Sequence, residues 1–205
     1  MLIIPFDRLW EQYNRIIKDN CPIILFGREP FTSILITSNI DAYKHKWIWN
    51  KKQSGSPQNA KYMPLQLDED IVVFCKDGKK VNYYPIMRKG KMRKRGGYKE
   101  SSQIMGEFQA GYENYSDLYY PTNIYELANP RKDRLHPCQK PIELLKYLIE
   151  TYSKEGNIIL DNTMGVGSTG IAALQLWRKF IGIELDENYF NIAKSNIEKI
   201  SSLLA

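Results

Sequence analysis

Asn157-Ile158-Ile159-Leu160-Asp161 is a short apolar run ending in a carboxylate, and Asn162-Thr163-Met164-Gly165-Val166-Gly167-Ser168-Thr169-Gly170 follows it without a break. Ile171 to Leu176 then reads as helix, and Phe180-Ile181-Gly182-Ile183-Glu184 as a second short strand with its own terminal acid. Strand, glycine turn, helix, strand, acid is the order of a nucleotide-cofactor site. The turn lets backbone N–H groups approach a ligand, and the second carboxylate is placed to grip a ribose. Upstream, Phe6, Leu9, Trp10, Tyr13, Ile16 and Ile17 recur at helical spacing up to Lys18. Pro22 to Phe26 is compact and apolar enough for a strand buried on both faces. Pro30 to Ser38 opens on a proline as a second helix. His45 to Trp49 and Ile71 to Phe74 read as strands, with Lys51 to Leu67 a loop between them. Pro141, Ile142, Leu144, Leu145, Leu148 and Ile149 mark an amphipathic helix, and Asn188 to Ile200 closes the chain as another. Strands alternating with helices predict an α/β fold with a mostly parallel sheet and helices on both faces.

At 205 residues the chain fits one domain, 1–205, with room for an insertion. No apolar run approaches the ~20 residues of a membrane span. Met1 to Asp7 lacks the basic start and cleavage site of a signal peptide. Cys21, Cys75 and Cys138 are widely spaced and unpaired by any CxxC, which points to buried thiols in a reducing cytoplasm and to no metal site. The net charge of +6 is unevenly spread. Arg88, Lys89, Lys91, Arg93, Lys94, Arg95 and Lys99 crowd one stretch with no acid among them, and Lys44 to Lys52 interleaves base with Trp47 and Trp49. Such stripes attract polyanions, because each phosphate neutralised releases counterions; solubility charge on a solvated loop is the bland alternative. Trp47 and Trp49 sit at i and i+2 of a strand, so they share one face, and core packing outweighs base stacking there. Residues 76–134 lose apolar periodicity and gain Gly, Tyr and base, and read as an irregular basic insertion.

Gly165-Val166-Gly167-Ser168-Thr169-Gly170 satisfies GxGxxG, a weak signal by itself that leaves a nicotinamide or flavin enzyme open. Two features weigh against a dinucleotide. Asp161 stands four residues before Gly165, near where a pyrophosphate would lie, and the chain after Glu184 is too short for a second βαβαβ half. A cofactor with a cationic amino-acid tail and no phosphate fits better, namely S-adenosyl-L-methionine (AdoMet). A purely structural loop–helix turn is the remaining alternative.

Leu160 to Gly170 resembles the AdoMet loop of the DNA amino-methyltransferases, which modify adenine N6 or cytosine N4. His136-Pro137-Cys138-Gln139-Lys140-Pro141 is similar to the motif that precedes this loop in the family's β-type permutation, as is Tyr120-Pro121-Thr122-Asn123 before it. Ile3-Ile4-Pro5-Phe6, Ile24-Leu25-Phe26-Gly27 and Pro30-Phe31-Thr32-Ser33 extend the likeness over nearly the whole chain. The resemblance implies a Rossmann-like AdoMet-dependent methyltransferase domain, with Asp161, Asn162, Thr163, Gly165 and Gly167 at the methionine end of the cofactor. Glu184 would accept hydrogen bonds from both ribose hydroxyls, and Gln139 and Lys140 would sit by the cofactor's methionine end, with Lys140 facing its carboxylate. His136 is expected to be a loop hydrogen-bonding residue, and Asp186 a cap on the following helix. The basic segment 76–134 is then the candidate target-recognition region, with Arg88, Lys91, Arg93, Lys94 and Arg95 on the phosphates of double-stranded DNA.

One family motif has no counterpart in the sequence. The Asp/Asn/Ser-Pro-Pro-Tyr/Phe/Trp group accepts the target amine's hydrogens and stacks on the flipped base, yet no Pro-Pro occurs; Glu29-Pro30-Phe31 and Asn129-Pro130-Arg131 have other residues in other places. The catalytic motif is expected ahead of Met1, and its strand beside the one ending in Asp161. The sheet is therefore expected to be incomplete, with a gap at its centre, and a second chain is a candidate source of the missing segment. The expected function is DNA N-methylation, N6-adenine before N4-cytosine, in a restriction–modification or phage setting, with this chain inactive alone. A non-catalytic remnant that holds DNA or a partner is the alternative.

Overall fold

The computed structural model describes residues 5–54, 57–95, 101–102, 106–107, 114–129, 135–136 and 138–204. Ile3-Ile4, Lys99 and Pro137 of the motifs above lie outside them. In chain order the elements are α1 (Phe6–Ile16), β1 (Pro22–Gly27), α2 (Phe31–Thr37), β2 (Tyr43–Asn50), β3 (Asp68–Cys75), β4 (Arg88–Arg95), β5 (Ser101–Ser102), β6 (Gly106–Glu107), β7 (Asn114–Tyr119), β8 (Ile124–Glu126), α3 (Ile142–Tyr152), β9 (Ile158–Asp161), α4 (Ser168–Gln175), β10 (Lys179–Gly182) and α5 (Glu187–Leu204). They fall into two compact units: 1–84 with 123–205, and 85–122.

The larger unit holds two separate sheets. One has the order β1-β3-β2-β8; the other is the parallel pair β10-β9. β3 runs antiparallel to both β1 and β2, and only β8 joins that sheet in parallel. The expected mostly parallel sheet is thus corrected to a mixed one. The cause is local: among the described residues the connection from β2 to β3 holds just the 3-10 turn Pro57–Lys61, and strands so joined need no crossover helix to run antiparallel. β1 is an edge strand, partly buried along its length, rather than a strand buried on both faces. β3 fills that role, with Ile71 to Cys75 fully buried. Its even residues Val72 and Phe74 pack with Trp10, Ile23, Leu35 and Ala42 under α1 and α2. Its odd residues Ile71 and Val73 pack with Trp47, Trp49, Leu144, Leu148 and Tyr152 under α3. The alternation that divides these two cores is the period of the strand itself.

α3 spans both sheets. Leu144 and Leu148 face the antiparallel sheet, while Leu145 and Ile149 meet Ala172 and Ala173 of α4, with Ile159, Phe180 and Phe26 around them. Among the described residues the pair β9-β10 is therefore covered on one face. Ile158, Leu160, Ile181 and Ile183 alternate onto the other face and stay exposed, at 58%, 39%, 51% and 54%. No helix among the described residues is long and apolar enough to cross a membrane. Cys75 is buried, but Cys138 is exposed, against the expectation of buried thiols throughout.

The smaller unit is more regular than an irregular insertion. β4 and β7 pair antiparallel, with a register shift between Lys89 and Arg93; β5 and β6 form a second short antiparallel pair. The compact unit is also narrower than 76–134. Residues before Pro85 and after Thr122 belong to the larger unit, where β8 pairs with β2.

Candidate cofactor site

β9 delivers Asp161 to the start of the glycine loop, and parallel pairing sets Gly182 beside it. Two further backbone bonds splice the loop to the end of β10: Ile183 N donates to Asp161 O at 2.9 Å, and Met164 N to Ile183 O at 3.0 Å. The Asp161 carboxylate folds back over the loop. Oδ1 accepts from Thr163 N at 3.0 Å and Oδ2 from Thr169 Oγ1 at 2.6 Å. Glu184 closes the same loop from the other side, its Oε2 accepting from Gly165 N at 2.8 Å. Its Oε1 accepts from Leu185 N at 2.9 Å and Asp186 N at 3.0 Å. A carboxylate has about four acceptor positions, so Glu184 in this conformation keeps one for a hydroxyl donor. Gripping both hydroxyls of a ribose requires one of the backbone bonds to be given up.

Gly165 and Gly167 both have positive φ, +53° and +83°, a conformation costly for any residue with a Cβ. Gly167 also lies against Ala193 of α5, where an added Cβ would stand 3.1 Å from Ala193 Cα. The His136 ring lies over Gly165, packs edge-on against Tyr189 and accepts at Nδ1 from Cys138 N at 3.1 Å. Asp186 caps α5 through Tyr189 N at 3.0 Å.

The arrangement discriminates between cofactors. A dinucleotide fold keeps the backbone of its glycine turn and the helix N-terminus open to the pyrophosphate. Here the Gly165 N–H is turned onto Glu184, and a second carboxylate, Asp161, holds the first turn of α4. Two carboxylates around one loop repel a pyrophosphate and suit a ligand with ammonium and sulfonium charges.

The structure brings Asp161, Thr163, Gly165, Gly167 and Glu184 onto one loop, while the other proposed contacts are committed elsewhere. Asn162 Oδ1 accepts from Tyr13 Oη of α1 at 3.1 Å; burial pushes the Tyr13 phenol above its ordinary pKa, against the opposing effect of that bond. Gln139 Oε1 accepts from Leu135 N at 3.1 Å. Lys140 Nζ pairs with Glu69 Oε1 at 2.6 Å and lies 4.8 Å from the centre of the Phe26 ring. Lys51 takes the other oxygen of Glu69, also at 2.6 Å. Burial raises the Glu69 pKa, but Lys140 and Lys51 together outweigh it and hold the carboxyl below its usual value. Glu69, Thr169 and Tyr13 were not legible as partners, because each reaches the site from a distant segment or carries no motif of its own.

The second basic cluster is corrected. Lys46 pairs with Asp70 at 2.9 Å, Lys51 with Glu69 and Lys52 with Glu126 at 3.2 Å, so Lys44 to Lys52 offers little free positive charge to a polyanion. Trp47 and Trp49 are core residues, at 3% and 0% exposure. Of the first cluster, Arg88, Lys91 and Arg93 lie on β4 with exposed side chains, and Lys94 and Arg95 complete the strand.

A DNA methylase family model, of N6/N4 type, matches residues 6–195. Over 198 residues the chain is 45% identical to the Type II methyltransferase M2.LlaDCHI of Lactococcus lactis subsp. cremoris, covering 95% of this chain and 66% of the relative. Over 199 residues it is 25% identical to the Type II methyltransferase M.HpaI of Haemophilus parainfluenzae, covering 95% and 59%. Its fold is similar to the crystal structure of the M1.HpyAVI–SAM complex, with a TM-score of 0.66 and 22% identity over 95% of this chain and 84% of that one. The chain spans less than two thirds of the length of these two curated relatives.

Proposed function

This chain belongs to the N6/N4 DNA methylase family, and we propose that it supplies the cofactor-binding and DNA-docking parts of an AdoMet-dependent DNA amino-methyltransferase of restriction–modification type. The observation that carries the reading is the closure of Asp161 and Glu184 on one glycine loop. AdoMet supplies the methyl group. Asp161, Thr163, Gly165 and Gly167 hold its amino-acid end, and Glu184 takes a ribose hydroxyl with its remaining acceptor position. Asn162 serves by tying the loop to α1 through Tyr13, and Lys140 is paired with Glu69. The acceptor is an exocyclic amine of adenine or cytosine in duplex DNA, docked by the basic strand β4.

The groups that activate this amine come, in this reading, from a polypeptide segment outside these 205 residues. Three features of the larger unit support it. β9 pairs only with β10 and β1 only with β3, so among the described residues each has an unused hydrogen-bonding edge. Phe26 of β1 and Ile159 of β9 pack against the same helix-lined core, so the two strands share one covering layer. The bare face of β9-β10 is apolar, the state of a sheet face that lacks its second layer. A strand added along such an edge uses the backbone groups it finds there.

Calorimetry with AdoMet tests the cofactor reading. Binding in the micromolar range is expected, weakened about tenfold or more by Glu184→Gln, and no binding by the wild-type chain overturns it. Incubation with labelled AdoMet and mixed-sequence duplex tests the division of labour. No transfer is expected from this chain alone, and methyl incorporation into adenine or cytosine would show that the outside segment is not needed.

A further inference from the structure

The smaller unit contains a built hollow that the cofactor reading does not use. β4 and β7 lose register between Lys89 and Arg93: Lys89 pairs with Leu118 and Arg93 with Ser116, so Gly90, Lys91 and Met92 stand opposite Asp117 alone. Extra residues on one strand bend it and re-aim its side chains. Here the bend wraps around Tyr119. Its hydroxyl donates to the Lys91 carbonyl at 2.7 Å, and the Arg93 guanidinium lies 5.3 Å from its ring centre. The ring presses so close to Gly90 that an added Cβ would come within 2.8 Å of it. Arg88, Lys89, Gly90, Lys91, Arg93 and Tyr119 line the resulting hollow of about 280 Å³. Arg88 also donates to the Tyr120 carbonyl at 3.3 Å, and Lys89 approaches Asp117 only to 3.9 Å. Among the described residues no acid lies within ion-pair distance of Arg88, Lys91 or Arg93. Three cations with no acid in reach among the described residues line one open hollow, Arg93 over the Tyr119 ring, and guanidinium and ammonium groups so placed suit a phosphate oxygen.

We propose that the β4 bulge is a seat for a backbone phosphodiester of duplex DNA, built by Arg88, Lys91 and Arg93, with Gly90 and Tyr119 as its positioning residues. The proposal rests on the DNA-methylase reading and deepens it, since a run of basic residues alone would not make Gly90 or the Tyr119 hydroxyl matter. Tyr119 fixes the bulge through the Lys91 carbonyl and lies beneath the Arg93 guanidinium. Gly90 leaves the room the ring needs.

The test is the salt dependence of duplex affinity, measured by fluorescence anisotropy on the full chain, with Lys61→Ala as a control outside the hairpin. Each lost phosphate contact lowers the log–log salt slope by about 0.9. Arg93→Ala, Gly90→Ala and Tyr119→Phe are each expected to weaken binding several-fold and to reduce the slope by about one contact, while Lys61→Ala changes neither. Tyr119→Phe keeps the ring and its packing, so its effect survives the objection that Gly90→Ala disorders the hairpin. Wild-type affinity and slope in both Gly90→Ala and Tyr119→Phe overturn the proposal. Displacement of duplex by inorganic phosphate at constant ionic strength, in wild type and not in Gly90→Ala, overturns it in favour of a site for the free anion. If the wild-type chain binds AdoMet but no duplex, the DNA-docking reading itself falls, and the two failures are thereby distinguished.

Discussion

Glu184, Gly167 and Glu69 show how much of the site is decided by single side chains. Glu184 holds three backbone amides, so Glu184→Gln replaces acceptor oxygen with an amide group where N–H donors converge. Gly167 opens α4 with φ +83° and touches α5. Gly167→Ala incurs about 1–2 kcal/mol from the left-handed backbone alone, before any shift of Ala193. A fall in Tm of several degrees, together with weaker AdoMet binding in calorimetry, is expected. Glu69 makes a pH-dependent contribution. Its folded pKa lies below the unfolded value of 4.5, so the stabilisation is present above pH 4.5 and is lost as the pH falls through the lowered folded value. Glu69→Gln is therefore expected to melt earlier than wild type at neutral pH, with the gap closing below pH 4.5. A gap that stays constant through acid would show that Glu69 contributes by packing rather than by charge.

At the scale of elements, α3 holds the larger unit together, and Tyr152 at its end shows by what means. Trp47 Nε1 donates to the Tyr152 hydroxyl at 2.6 Å, and that hydroxyl lies 2.7 Å from His45 Nε2. Burial lowers the His45 pKa and so favours the neutral ring, whose tautomer sets which of the two groups donates in that contact. One hydroxyl thus satisfies two side chains of β2 from the last residue of α3. Tyr152→Phe leaves the buried indole N–H without a partner, which costs about 1–3 kcal/mol. Thermal melting should register this as a Tm lower by roughly 2–4 °C per kcal/mol in a chain of this size. The amphipathic pattern of Ile142 to Ile149 was enough to place the helix. That it covers two sheets at once was not legible, because a helix stripe reports only that a face is buried and not what buries it.

At the scale of the whole molecule, the chain forms two compact units, and the larger one holds two separate sheets. If the smaller unit carries the DNA contacts, replacing residues 85–122 with a flexible linker of about ten residues leaves AdoMet affinity within a few-fold and abolishes duplex binding. Loss of AdoMet binding with the core still folded would show that the units do not act separately. The pair β9-β10 sets a different expectation. Four half-exposed aliphatic side chains on β9, β10 and the residue after it each stand to gain roughly half of the ~1.5–3 kcal/mol of full burial, a driving force for any segment that covers this face. Ile181→Lys with Ile183→Lys is accordingly expected to change the Tm of the chain alone little, as surface substitutions do, while abolishing association with a completing segment in a pull-down assay.

The order of acid, glycines and acid between Asp161 and Glu184 was enough by itself to place the strand, glycine turn and helix that bring both carboxylates together, because adjacent residues on a strand–turn–helix have little freedom to be anywhere else. The basic content of β4 was equally plain, and so was the shared face of Trp47 and Trp49, which the two-residue period of a strand dictates. Tertiary structure alone decided the rest. Which strands neighbour β3, and in which direction, depends on contacts far apart in the chain. The same is true of Lys140 meeting Glu69, and of the acids that neutralise Lys46 and Lys52. An ion pair across the fold leaves no periodic trace in a sequence: each partner reads as a surface charge until folding brings its counter-charge within reach.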